Sequence, residues 1–346
     1  MSKTISFCLT LALLCLNLGA NSDRDAEIPV SYTITPIGVE SAGTPCSVYG
    51  FNNHGDIAGS IDSPGLAGGS CACMWRAGHY NEPVLIGSIL GAAHAINDRG
   101  VVTGYTTVNR DTKYESFAFT WQNGKLTSLA SNATGRAINA SGDVAGIINR
   151  RGDTYAPHVV FWHDGKTTEI GTLGGSQNDV FAMNSHGDMV GWSYAKAVEG
   201  EENMCAYLWH DGKLNDLGVC NEQGGVAVGI NDRCEIILSH VPANGTPHFY
   251  LWKDNHLTEL PPVNGMKSEP ISINNQGDIL GSSFNTHDAH FLLWHKGKGY
   301  DITKRIRNVT GWKLTAVFAI NDRGQILGDG LVNNTQRGFI LTPKYK

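Results

Sequence analysis

One unit recurs along this chain, and a chain that repeats at such a period folds as an array in which each copy buries the faces of its neighbours. The unit runs from a short apolar pair and an Asn, through a turn closing on Gly, into an apolar stretch ending in Gly. A variable loop, an apolar run ending in Trp, a polar turn and a further strand follow. The marker Asn stands at Asn52, Asn97, Asn139, Asn184, Asn231, Asn274 and Asn321, at intervals of 45, 42, 45, 47, 43 and 47 residues. Trp75, Trp121, Trp162, Trp209, Trp252 and Trp294 follow the first six. The seventh copy has Gly338-Phe339-Ile340-Leu341 in the Trp run and stops before its last strand.

Turn chemistry divides each copy into four strands, called a to d below. In the second, Ala95-Ile96-Asn97 leads through Asp98-Arg99-Gly100 into Val101 to Tyr105, and Ser116 to Trp121 turns at Asn123-Gly124 into Lys125 to Leu129. Asn-Gly and Asp-Gly are the pairs that adopt the positive φ a two-residue hairpin needs. Runs such as Phe291-Leu292-Leu293-Trp294 do not alternate, so both sheet faces are covered. Four strands per repeat of this length predict an all-β, seven-bladed β-propeller, with six or eight blades fitting the count less well. Ser31 to Gly38 resembles the fourth strand of a copy, as in Thr168 to Gly174. It is expected to complete the seventh blade and close the ring.

The first 22 residues, with Lys3, an apolar run from Ile5 to Leu16 and a small-residue end at Ala20-Asn21-Ser22, read as a Sec signal peptide. Cleavage after Ala20 fits as an alternative. The run is too short to span a bilayer, and no small residue precedes Cys15, which disfavours a lipid anchor. The expectation is a single domain over 23–346, secreted or periplasmic, monomeric and not inserted in a membrane. A formal charge of -6 with 17% charged residues offers no basic stripe for nucleic acid.

Six cysteines remain after processing, and an exported chain can oxidise them. Cys71-Ala72-Cys73 is not the paired C-x2-C of a zinc site. The expected pairs are Cys205 with Cys220, across the c–d hairpin of blade four but two positions out of register, and Cys46 with Cys71 or Cys73. Cys234, at the Gly position of an a–b turn, is expected free.

Cys205-Ala206-Tyr207-Leu208-Trp209-His210-Asp211-Gly212 resembles the core of the HAF repeat of bacterial extracellular proteins, roughly His-Ala-Phe-x-Trp-x-x-Gly. The resemblance covers residues 30–342. It keeps its His at His158, His248 and His290 and replaces it at Cys71, Phe117, Cys205 and Arg337. It implies an exported propeller-like protein and no established activity.

The a–b and c–d turns are short and share one face; the b–c and d–a loops vary and share the other. Function sits on variable loops over a rigid scaffold, so the ligand is expected at the variable face, near the channel mouth. There blades two to four gather Tyr105, Asn109, Arg110, Asp111 and Tyr114, then Arg150, Arg151, Asp153 and Tyr155, then Trp192, Tyr194, Lys196, Glu199, Glu201 and Glu202. Aromatics beside hydrogen-bonding groups suit a sugar ring or a peptide. The reading is a non-catalytic module binding a glycan or an extracellular protein. Its principal candidates are Tyr105, Arg110, Asp111, Tyr114, Arg151, Asp153, Tyr155, Trp192 and Tyr194, and it requires no cofactor or metal.

Structural roles account for the most repeated residues. The strand c Trp packs blades, the marker Asn caps its own turn, and His158, His248 and His290 are packed, hydrogen-bonded histidines. Asn184-Ser185-His186-Gly187-Asp188 supplies too few oxygens for calcium, and His287-Asp288-Ala289-His290 lacks a third ligand for a metal. No hydrolase, metalloprotease, phosphate-loop or sialidase motif is present. The alternative is a propeller hydrolase or lyase acting on an extracellular polysaccharide with carboxylates from separate blades, such as Asp111, Asp153 or Glu201.

Overall fold

The structure is a computed structural model describing residues 28–38, 45–62, 69–87, 90–110, 113–149, 157–196, 201–221, 224–242, 245, 247–284 and 289–346. Apart from one short 3-10 turn, its regular elements are all strands, arranged in seven antiparallel sheets. Blades one to six are β2–β5 (46–85), β6–β9 (91–131), β10–β13 (133–169), β14–β17 (174–221), β18–β21 (225–259) and β22–β25 (269–301), each ordered as in the chain. Blade seven joins β27–β29 (312–344) to β1 (Ser31–Pro36), which pairs antiparallel with β29 (Thr335–Lys344) from Ser31 opposite Lys344 to Pro36 opposite Phe339. The two ends of the chain therefore close the ring, as the strand-like Ser31 to Gly38 predicts. A two-residue strand, β26 (Ile306–Arg307), adds in parallel outside β1. Trp312 opens β27 (Trp312–Ile320) and meets the Phe339 ring edge-on at 5.8 Å.

The first strands of neighbouring blades pack on one another all the way round, including blade one on blade seven, which makes them the innermost strands. Seven hydrophobic clusters fill the seven junctions. The strand c Trp of each blade packs toward the preceding one. Trp75, Trp121, Trp162 and Trp294 are buried, and Trp209 and Trp252 half-buried against the same kind of cluster. Burying a side chain of that size contributes on the order of 3 kcal/mol, so the ring is held chiefly by these junctions. The hairpin pairs behave as read: Asn123 and Gly124 have φ 50° and 84°, and Asp211 and Gly212 50° and 75°.

Cys205 and Cys220 form a disulfide. They stand directly opposite, because a bulge between Cys205 and Tyr207 takes up the expected two-residue offset. The expected pairing of Cys46 with Cys71 or Cys73 is corrected: all three are buried thiols. Cys46 and Cys71 flank Ile61 from its two sides, which puts them two strand spacings, about 10 Å, apart, beyond the ~7 Å limit for a disulfide. Cys73 lies two residues further along and is no nearer. Cys234 is a free thiol with φ 57°.

Candidate functional site

Each innermost strand carries a β-bulge at the same place, three residues before the marker Asn. The register skips Tyr49, His94, Arg136, Phe181, Val228, Ile271 and Phe318 in blades one to seven. A bulge leaves one residue out of the ladder and redirects its side chain. Tyr49 and Phe181 are 44% and 43% exposed on strands flanked on both sides by neighbouring blades, so that exposure opens onto the central channel. The fold thus places one bulged residue per blade around the channel, with Tyr49 and Phe181 exposed and Val228, Ile271 and Phe318 packed against the junction clusters, and no two adjacent blades supply the same residue.

Two clusters gather around this ring. In blades one and two, the His94 ring lies 5.7 Å from Tyr49, edge-on, and 5.8 Å from Tyr105. His94 Nδ1 is 3.0 Å from the Gly135 carbonyl. Burial first, then the nearby Arg136 charge, hold its pKa below the usual imidazole value despite that contact. In blades three and four, Arg136 Nη2 is 3.7 Å from Asp179 Oδ2. Burial raises the Asp179 pKa even though Arg136 and the Val180 N–H oppose it. Asp179 faces Trp192 across the sheet, and Trp192 meets the Tyr194 ring at 5.1 Å. His94, Arg136 and Asp179 thus form an electrostatic chain across three consecutive blades.

Of the residues expected at the variable face, Tyr105 joins the first cluster, and Trp192 and Tyr194 form part of the second. Tyr114 stands apart, 58% exposed and opposite Asn109. Arg110 ends the second strand of its blade opposite Lys113 in backbone register, and Asp111, Arg151, Asp153 and Tyr155 lie outside the described residues. Tyr49, His94, Arg136 and Phe181 were not among the candidates. Their signal is positional: the third residue before each marker Asn varies while the Asn is kept.

The opposite face is built by repetition. Each marker Asn caps its own turn, as Asn52 Oδ1 does by accepting the His54 and Asp56 N–H groups at 3.0 and 2.8 Å. Its amide then donates to the carbonyl of the next blade's Asn at six junctions: Asn52 to Asn97, Asn97 to Asn139, Asn184 to Asn231, Asn231 to Asn274, Asn274 to Asn321 and Asn321 back to Asn52. This belt rims a cavity of about 270 Å³ on the axis, floored by Phe51, Met183 and the equivalent isoleucines. The strand c histidines are hydrogen-bonded as expected, each to a carboxylate eleven residues on: His158 to Glu169 at 2.6 Å, His248 to Glu259 at 2.7 Å and His290 to Asp301 at 3.0 Å.

No family model matches the chain, and no curated protein matches it. Solved structures do. The β-propeller domain of the Trilobed protease from Pyrococcus furiosus superposes with a TM-score of 0.63 at 10% identity, over 86% of this chain and 93% of that one. An acylaminoacyl peptidase from Pyrococcus horikoshii gives 0.60 at 13% identity, over 85% of this chain and 52% of that one, so this chain spans about half the peptidase. At such identities the likeness establishes the propeller fold. The first structure is described as an open velcro, whereas here β1 closes the ring onto β29. Among the described residues no helix is long and apolar enough to cross a membrane.

Proposed function

We propose that this chain is an exported, non-catalytic propeller that recognises a glycan or an extracellular protein at the variable-loop end of its channel. The observation that supports this reading is the contrast between ring positions. The marker Asn is kept in every blade, whereas the lumen position three residues earlier carries Tyr, His, Arg, Phe, Val, Ile and Phe in turn. A position that only had to close the ring would repeat as the Asn does. Exposed Tyr49 and Phe181, with Trp192 and Tyr194 beyond them, supply flat apolar faces, and His94, Arg136 and Asp179 supply hydrogen-bonding partners. The Cys205–Cys220 disulfide fits an oxidising compartment, in keeping with the signal-peptide reading of residues 1–22 and the HAF-repeat resemblance.

A second reading, a hydrolase or lyase on an extracellular polysaccharide, draws on the depressed His94 and raised Asp179 pKa values on either side of Arg136. Paired shifts of opposite direction are what acid–base chemistry uses.

The test is a glycan array and a pull-down of extracellular proteins, probed with the secreted chain and with a folded Tyr49→Ala/Phe181→Ala/Trp192→Ala variant. Specific capture lost in the variant is the expected result. Capture that survives all three substitutions places the site elsewhere and contradicts the proposal. Polysaccharide turnover abolished by Asp179→Asn would replace it with the enzymatic reading.

A further inference from the structure

The junction between blades three and four is built differently from the others, on the belt face and away from the lumen ring. Three links that recur elsewhere are missing from it. Asn139 Nδ2 donates to Asp143 instead of to the next blade's Asn. At five junctions the backbone N–H after the marker Asn donates to the side chain at the same position of the next blade, as Asn53 does to Asp98 at 2.7 Å and Asp232 to Asn275 at 2.8 Å. Blade three has Ala140 there, and its N–H makes no such bond to Ser185 of blade four.

The third link is a guanidinium. Arg99, Arg233 and Arg323 each reach across to a backbone carbonyl of the following blade, at Ser141, Asn275 and Asn53. Arg99 and Arg233 lie over the next turn glycine, so that a Cβ built on Gly142 or Gly277 would come within 2.7 or 2.6 Å of their Nη2 atoms. Blade three has Ser141 at that position, too short to reach. In its place a groove of about 230 Å³ opens, walled by Asp143 and His163 on one blade and Gly187 and Asp211 on the other. Phe161 and Trp209 line it with ring centroids 5.3 Å apart.

Blade five shows what such a groove holds. Its carboxylate, Glu235, accepts from Asn231, from Lys253 Nζ at 2.9 Å and from the Arg233 guanidinium. The equivalent Asp143 accepts from Asn139 at 2.9 Å and from His163 Nδ1 at 2.8 Å. Among the described residues the third donor has no counterpart. Asp188, on the opposite wall, is tied to His210 at 2.6 Å, and Asp211 at the rim is exposed. Aromatic faces beside carboxylates suit a guanidinium better than an ammonium, because the planar cation stacks and hydrogen-bonds at once.

We infer that this groove receives an arginine side chain presented by a protein partner, seated where Arg233 sits within its own chain.

Isothermal titration calorimetry of the secreted protein with a blocked Gly-Arg-Gly peptide tests this, with the citrulline peptide as its uncharged isostere. Saturable binding of the arginine peptide alone is expected, abolished by Ser141→Arg, which supplies the guanidinium internally, and weakened about tenfold by Asp143→Asn. No binding to the wild-type protein, equal binding of the citrulline peptide, or unchanged affinity in Ser141→Arg would each overturn the inference. If Ser141→Arg fails to fold, unchanged affinity in Asp143→Asn overturns it. Tighter binding of free arginine than of the blocked peptide would overturn the assignment to a protein partner.

Discussion

The junction of blades five and six and that of blades three and four solve one packing problem with different completeness. At the first, the turn Asn231-Asp232-Arg233 supplies an amide, an N–H to a side-chain oxygen and a guanidinium to blade six, over a cluster that fully buries Trp294. At the second, Asn139-Ala140-Ser141 supplies none of these to blade four, and the cluster beneath buries only Ala137, Ala145, Val159, Val180 and Met189 fully. A propeller needs every junction closed but not equally tight. The chain has therefore relaxed one seam without opening the ring.

The largest expected effects sharpen that difference through the aromatic cores. Trp294→Ala should cost about 4 kcal/mol, as emptying a buried site of that size does, and Trp209→Ala, half-buried beside a groove, less than half as much. Chemical denaturation measures both, and equal losses would break the comparison. Asn231→Ala removes two turn caps and one interblade donor from a buried position and should cost roughly 3 kcal/mol. Asn139→Ala lacks the interblade term and should cost about 1 kcal/mol less. Ser141→Arg should act in the opposite direction, raising stability by up to ~1 kcal/mol and the Tm by about 2–4 °C.

The smallest effects separate the two seams by pH. Burial alone would raise the Glu235 pKa, but hydrogen bonds from Arg233, Lys253 and Asn231 lower it to about 2. A depressed carboxylate contributes stability that is complete above its unfolded pKa, near 4.5, and is lost as pH falls toward 2. The Tm difference between wild type and Glu235→Gln should therefore vanish across that acid window. The hydrogen bond and charge of Asp143 raise the His163 pKa. Its contribution is complete below 6.5 and lost as pH rises through the folded value. The gap between wild type and His163→Gln should close on the alkaline side instead.

Much of this architecture is legible in the residues. The spacing of Asn and Trp fixes the blade count, Asn-Gly and Asp-Gly mark the hairpins, and Ser31 to Gly38 foretells the closing strand. The candidate site was only partly legible. Tyr105, Trp192 and Tyr194 are legible as aromatics near a variable loop. Tyr49, His94, Arg136 and Phe181 are not, because a strand pattern read as simple alternation does not reveal a bulge. The bulge comes from how the innermost strand meets its partner, and it alone turns that position toward the lumen. The Cys46 pair fails for a related reason: the strand carrying Ile61 lies between the Cys46 and Cys71 thiols. The Ala140-Ser141 departure was visible all along as a break in a repeated turn, but its meaning depended on knowing that Arg99, Arg233 and Arg323 cross to the next blade.

On the proposed reading, positions keeping the repeat hold the ring, while the lumen positions that break it take the ligand. The most direct test measures stability and capture together, on a partner drawn from the array or pull-down, for Asn274→Ala and for the Tyr49→Ala/Phe181→Ala variant. The belt variant should lose stability and still capture below its lowered Tm, whereas the lumen variant should keep a Tm close to wild type and capture nothing. A lumen variant that captures normally, or a belt variant that stays stable and loses capture, would contradict it.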